Sequence, residues 1–182
     1  MKAVILTEPG KVAFGEMPKP VVEDHLLLIK VECAVINPSD CLFMGDKFFR
    51  GMIAKFPYTP GWEGAGTIVE VGKDHADKGL VGKRVGFFKC REQGLWEKGG
   101  SFAEFVLTDI TGIIPLRDDV SHEQGVALFV NPLSALCLVD RAKVLGAKAV
   151  IITAAASQLG RMLVTLCHQE GIVPICHVRR QA

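Results

Sequence analysis

Tyrosine occurs once, at Tyr58, and no two of the six cysteines are in C-x-x-C spacing. Cys33, Cys41, Cys90, Cys137, Cys167 and Cys176 are scattered, several of them in apolar runs where a thiol behaves as a small hydrophobe. That pattern argues against a disulfide framework and for reduced thiols inside a cell, in the cytoplasm or alternatively the mitochondrial matrix. No run of eighteen apolar residues exists, so no membrane span is expected. Met1-Lys2-Ala3-Val4-Ile5-Leu6 leads straight into a strand pattern, and its apolar core is too short for a signal peptide. An excess of one charge is also missing. The formal net charge is +1 with no acidic or basic block, which excludes nucleic acid or a membrane surface held by bulk charge. Repeats and low-complexity segments are absent. What remains is a chain of 182 residues, 49% hydrophobic and 23% charged, enough for one large or two small globular domains.

The most informative stretch runs from Lys148 to Arg180. A β-branched run, Val150-Ile151-Ile152-Thr153, leads into Ala154-Ala155-Ala156-Ser157-Gln158-Leu159-Gly160. A helical run follows, with Leu159, Met162, Leu163, Leu166 and Cys167 on one stripe. Ser157 is the expected N-cap and Gly171 the expected C′ glycine. Ile172 to Val178 then reads as a second strand, ending on Arg179-Arg180. This is the layout of a dinucleotide-binding βαβ unit, in which the turn meets a pyrophosphate and the second strand's end a ribose. Of the usual glycines only Gly160 is present, so a plain βαβ unit without nucleotide stays open. Backbone N–H groups at a helix start can hold an anion even so. Pro174 removes a ladder donor, which is tolerable near a strand's start.

Residues 2–6, 12–14, 26–35, 67–71, 82–88 and 102–107 read as short strands separated by turn signals, the pattern of a compact β-barrel. Ser39 is the expected cap of a short helix over 40–44. Gly45 to Lys55 is irregular and basic. Pro57 to Gly66 holds three glycines and two prolines, which implies a close approach by something to the backbone. Near 121 the pattern turns helical, with Ser121 as N-cap. Pro132 to Leu145 follows as a helix whose buried face carries Leu133, Leu136, Cys137, Val139 and Leu145. The domain boundary is expected at about 120–130.

The order of these motifs resembles the medium-chain dehydrogenase/reductase family, in its zinc-independent branch of quinone and enoyl reductases. Asn37-Pro38-Ser39-Asp40, Pro60-Gly61-Trp62-Glu63-Gly64-Ala65-Gly66, Gly82-Lys83-Arg84-Val85, Gly100-Ser101-Phe102-Ala103-Glu104, Asn131-Pro132-Leu133-Ser134-Ala135 and the βαβ unit carry the resemblance. It implies an α/β chain: a GroES-like β-barrel domain over 1–125, then the start of a Rossmann, doubly wound domain over 126–182. A doubly wound sheet needs more than two strands, so a fragment is implied, completed as a homo-oligomer or by a complementing chain.

Zinc-dependent members place a cysteine and a histidine where Asn37 and Trp62 stand, and a four-cysteine lobe where only Cys90 stands. Neither Asn37 nor Trp62 is a zinc ligand, so no metal is expected. A site from Cys33, Cys41 and a histidine has no familiar spacing. The implied reaction is hydride transfer from a reduced nicotinamide to a small-molecule electron acceptor, a quinone or an activated double bond. By resemblance Asn37, Asn131 and Ser134 face the nicotinamide, and Ser157, Gln158, Leu159 and Gly160 the phosphates. From the residues alone, Asn37 reads equally as an Asx-type cap, and Asn131-Pro132 as a turn before a helix. Members that use NADH place an acid at the second strand's end; Arg179 and Arg180 suit a 2′-phosphate instead, which implies NADPH. A solvated arginine pair is the alternative. Related enoyl reductases carry a tyrosine acid within the segment matching Gly45 to Phe49, where none occurs here. Tyr58 is a substitute acid or a packed loop aromatic. A non-catalytic structural or binding module is the competing reading.

Overall fold

The computed structural model describes residues 1–45, 53, 55–91 and 96–179. Most of the irregular 45–55 stretch, and Arg180, lie outside them. Two compact units are present, Met1–Ala127 and Leu128–Ala182.

The first unit is built on β3 (Leu26–Ala34), whose unbroken apolar start has a simple cause. Leu27 and Ile29 enter one core with Ile68, Val85, Phe87 and Val106, while Leu26 and Leu28 enter a second with Cys90 and Leu107. A strand buried on both faces cannot alternate with polar residues. Around it lie β4 (Glu63–Val71), β5 (Arg84–Phe88), β6 (Phe105–Asp109) and β7 (Ile113–Pro115), in the antiparallel order β6-β3-β4-β5-β7. A hairpin of β1 (Lys2–Glu8) and β2 (Lys11–Glu16) joins mainly through β1: Val4 donates to the Phe102 carbonyl at 2.8 Å and Leu6 to that of Tyr58 at 2.7 Å, while the Tyr58 and Glu104 N–H groups donate back to the carbonyls of Leu6 and Lys2.

Several expectations shift. Strand β6 begins at Phe105 rather than at residue 102, and β7 is not among the expected strands. The helix α1 (Pro38–Met44) begins earlier than the sequence suggests, with Asn37 rather than Ser39 at its N-cap. Pro38 at the first helical position has a fixed φ that suits a helix start, and its missing N–H costs nothing there. Strand β4 begins at Glu63, inside the glycine-rich segment, so the close approach inferred for Pro57 to Gly66 is made by the chain's own backbone. Ser121 caps the short α2 (His122–Gly125), accepting the Gln124 N–H at 3.2 Å while Gln124 Oε1 accepts its own.

In the second unit β8 (Ala149–Thr153) and β9 (Val173–His177) are parallel, joined by α4 (Gln158–Gln169). Ser157 caps α4, its hydroxyl accepting the Gly160 N–H at 3.0 Å, and Gly171 follows it with φ of 68°. The helix α3 (Val130–Val144) packs on α4, but of the face expected only Val139 is buried. Ala135, Val139 and Ala142 are its buried residues, while Leu133, Leu136, Cys137 and Leu145 are exposed. Small side chains let α3 approach α4 and the sheet closely, and the bulky residues are turned outward. Among the described residues no helix is long and apolar enough to cross a membrane.

Candidate functional site

In the first unit the chemistry gathers where α1 starts and β4 begins. Glu63 and Asp40 are both wholly buried. Asp40 Oδ2 accepts the backbone N–H of Asn37 at 2.6 Å, and the Asn37 amide donates from Nδ2 to Glu63 Oε1 at 3.0 Å. Asn37 thus links two buried carboxyl groups that lie 23 positions apart in the chain. Burial pushes the Asp40 carboxyl up to about 6, and the neighbouring Glu63 adds to the rise; N–H groups of Asn37 and Trp62 oppose it. Next to this node stand Trp62, Trp96, Phe43 and Phe88. Trp62 is 5.3 Å from Phe43 and 5.2 Å from Trp96, and it stacks on Phe88 at 6.1 Å, between ring centroids. The Lys89 ammonium lies inside the first unit, 4.4 Å over Trp96, and donates to Tyr58 Oη at 3.1 Å; that hydroxyl donates in turn to the Lys98 carbonyl at 2.9 Å. Tyr58 is 2% exposed, a packed aromatic rather than an open acid.

The raised Asp40 pKa carries a pH prediction. The native state holds its proton at a pH where the unfolded chain has lost it. The stabilisation is therefore complete below about pH 4 and disappears as pH rises through about 6. Between pH 4.5 and 7 the wild type loses about 2 kcal/mol from this group. Asp40→Asn keeps an oxygen for the N–H groups and does not titrate. Urea unfolding followed by tryptophan fluorescence is expected to show that slope in the wild type minus the variant. Parallel pH dependences of the two proteins would refute it.

In the second unit the site is the turn between β8 and α4. Ala154 has φ of 51°, the left-handed conformation usual for glycine. The Ala155 N–H donates to the His177 carbonyl at 3.2 Å, stitching the turn to the end of β9. Arg179 lies two residues past that point and is exposed. Gly160 is buried against the turn: a Cβ there would lie 2.6 Å from both Cα and O of Ala155. The first two N–H groups of α4, on Gln158 and Leu159, have no hydrogen-bond acceptor among the described residues, as is usual at a helix start.

Among the sequence candidates, Ser157, Gln158, Leu159 and Gly160 converge at this turn with Arg179 near it. Arg180 lies outside the described residues. Asn131 is half-buried in the first turn of α3, inside the helix rather than before it. Ser134 is exposed, with its hydroxyl donating to the Val130 carbonyl at 2.6 Å. Asn37 belongs to the other unit and is buried, its amide engaged by Glu63. The sequence does not signal Asp40 and Glu63 as a pair. Asp40 had a local signal, an acid three residues after an N-cap, but its link to Glu63 is purely tertiary.

Residues 23–118 match the family model of the alcohol dehydrogenase GroES-like domain. The chain belongs to that family. Its relatives include quinone oxidoreductases and trans-enoyl reductases of the medium-chain dehydrogenase/reductase family. A trans-enoyl reductase of Aspergillus flavipes is 28% identical over 173 residues, 90% of this chain and 50% of the relative. The quinone oxidoreductase of Mus musculus is 28% identical over 154 residues, 84% of this chain and 44% of the relative. Among solved structures, a Mesorhizobium loti protein described as an NADPH:quinone reductase is 37% identical with a TM-score of 0.85, covering 100% of this chain and 55% of that one. A mycobacterial protein solved with NADPH is 26% identical with a TM-score of 0.81, covering 99% and 53%. The GroES-like chain thus spans about half the length of the relatives it matches. Its domain matches cover the buried Asn37–Asp40–Glu63 node and the aromatic cluster beside it.

Proposed function

We propose that the GroES-like chain is part of an NADPH-dependent, zinc-free oxidoreductase, a quinone reductase in type, with its second unit forming the start of a Rossmann domain. The carrying observation is the turn after β8. Gly160 leaves no room for a side chain between α4 and Ala155, which brings the helix start hard against the turn. That is the packing a pyrophosphate-binding turn requires. The residues therefore fit a dinucleotide: the N–H groups of Gln158 and Leu159 would hold phosphate oxygens. Arg179, with Arg180, would hold a 2′-phosphate. The bound cofactor supplies hydride to a quinone or an activated double bond. The chain's own residues bind and orient. The carboxylates of Asp40 and Glu63 hold Asn37 and the start of α1 in place, and Trp62 occupies with an aromatic ring the position where zinc-dependent members carry a histidine. Asn131 and Ser134 are assigned to the nicotinamide end. An electron acceptor, a second copy or a complementing chain, and a cytoplasmic or mitochondrial-matrix setting belong to the same reading.

The test uses the full-length protein. Arg179→Glu is expected to weaken NADPH binding about 30-fold and leave NADH within about twofold, read by nicotinamide fluorescence titration. Equal loss for both cofactors would remove the 2′-phosphate role. A non-catalytic module is the second reading. It is favoured by Ser157, whose hydroxyl already takes the Gly160 N–H that an anion would otherwise compete for. Failure of the full-length protein to bind either nucleotide at millimolar concentration would establish that reading over the first.

A further inference from the structure

We propose that β2 is a pairing edge and that its partner is β2 of a second copy of this chain. Among the described residues β2 pairs with β1 alone. The N–H groups of Val4 and Leu6 point away from β2, to the carbonyls of Phe102 and Tyr58. Ala3 and Ile5 therefore make the bonds to β2, and their partners Gly15 and Ala13 face inward. Val12, Phe14 and Glu16 present their N–H and C=O groups to the open edge.

Protein edges are ordinarily blunted by an inward charge, a proline or a bulge. The interior of β2, Val12-Ala13-Phe14-Gly15, carries none of these. The charges at its ends hold their own counter-ions, Lys11 with Glu8 and Glu16 with the terminal ammonium of Met1. A copy of the same edge thus meets no unpaired charge.

The side chains select a second copy over an unrelated strand. Phe14 is 74% exposed. It stands at an open groove of about 430 Å³, lined also by Val4, Val31, Cys33 and Phe102. Antiparallel pairing of this edge with itself sets the two exposed rings side by side across a two-fold axis, which an unrelated strand would not do. The axis falls at Phe14. Phe14 then faces Phe14, Val12 faces Glu16, and on the other face Ala13 meets Gly15, small against small. All three outward residues join hydrogen-bonded pairs, about six backbone bonds in total. A slip of one residue would offer groups already bound to β1, and a slip of two would keep only two of the three hydrogen-bonded pairs. This pairing is independent of any cofactor or activity.

Sedimentation equilibrium of the chain, with amide hydrogen exchange across a concentration series, tests it. A dimer is expected, with the Val12, Phe14 and Glu16 amides gaining protection as concentration rises. Phe14→Lys should raise the dissociation constant at least about tenfold while leaving the melting temperature unchanged at concentrations where both proteins are monomeric. Val12→Pro should do the same, since its N–H points to the open edge. Ile151→Lys, on the exposed face of β8, should have no effect. A monomer at 0.5 mM (about a hundredfold above typical assay concentrations) would overturn the proposal. So would a dimer weakened by Ile151→Lys but not by Phe14→Lys, or one that leaves those three amides unprotected.

Discussion

Gly66→Ala is expected to destabilise the first unit by about 3 kcal/mol or more, lowering its melting temperature by about 10 °C. Gly66 pairs with Val31 at an irregularity in the β3–β4 ladder, where Glu32 is left without a partner. A Cβ there would stand 2.1 Å from the Lys30 carbonyl oxygen and 2.9 Å from Ile29 Cγ2. Neither neighbour can give way. The carbonyl belongs to β3, an interior strand of the five-stranded sheet, and Ile29 is wholly buried in its core. Relief would require parting β3 from β4, the pairing on which the unit is built. Thermal unfolding by circular dichroism measures the effect. A shift below about 3 °C would mean that the ladder yields far more easily than a packed sheet should.

Gly160→Ala is the second. One methyl group would enter the space between α4 and the turn, 2.6 Å from Ala155 Cα and 2.7 Å from the Ala154 carbonyl. Those atoms are backbone, and the turn they belong to is tied to β9 at His177. The helix start must therefore lift away from the sheet, at a cost of about 3 kcal/mol to a small unit. Hydrogen exchange over β8, α4 and β9 is expected to accelerate while the strands of the first unit keep their protection. In the full-length protein the same change should also abolish nucleotide binding, because the N–H groups of Gln158 and Leu159 move with the helix. Intact exchange protection over α4 would refute the packing argument. Intact protection with lost nucleotide binding would point to a narrower role at the phosphates.

These two glycines show how unevenly the sequence speaks. Gly160 is legible from its place after a β-branched run and before a helical stripe. The tight spacing around Gly66 is signalled only as an excess of glycine and proline, without naming what comes near. The caps follow the same division. Ser121, Ser157 and Gly171 act within a turn or two of their own positions, so local chemistry suffices to find them. The start of α1 went to Asn37 instead of Ser39, because Pro38 makes a better first helical residue than it does a loop. The buried face of α3 differs from the one its bulky residues suggest for another reason. Bulky apolar residues mark a buried face only when the neighbour leaves room for them, and α4 leaves room for alanine.

The alternation and length of apolar runs determined most of the strands, though not β7 or the first turn-like residues of β4, and with them the helical stripe of α4 and the order of motifs, since these depend on contacts close in the chain. Partners distant in sequence were decided by tertiary structure alone. Asn37 meets Glu63 only because α1 and the start of β4 are folded together, and a carboxyl 0% exposed acquires its raised pKa only there. The open edge of β2 is of the same kind. Its residues are visible in the sequence, but which of its backbone groups are already bonded depends on where β1 spends its own.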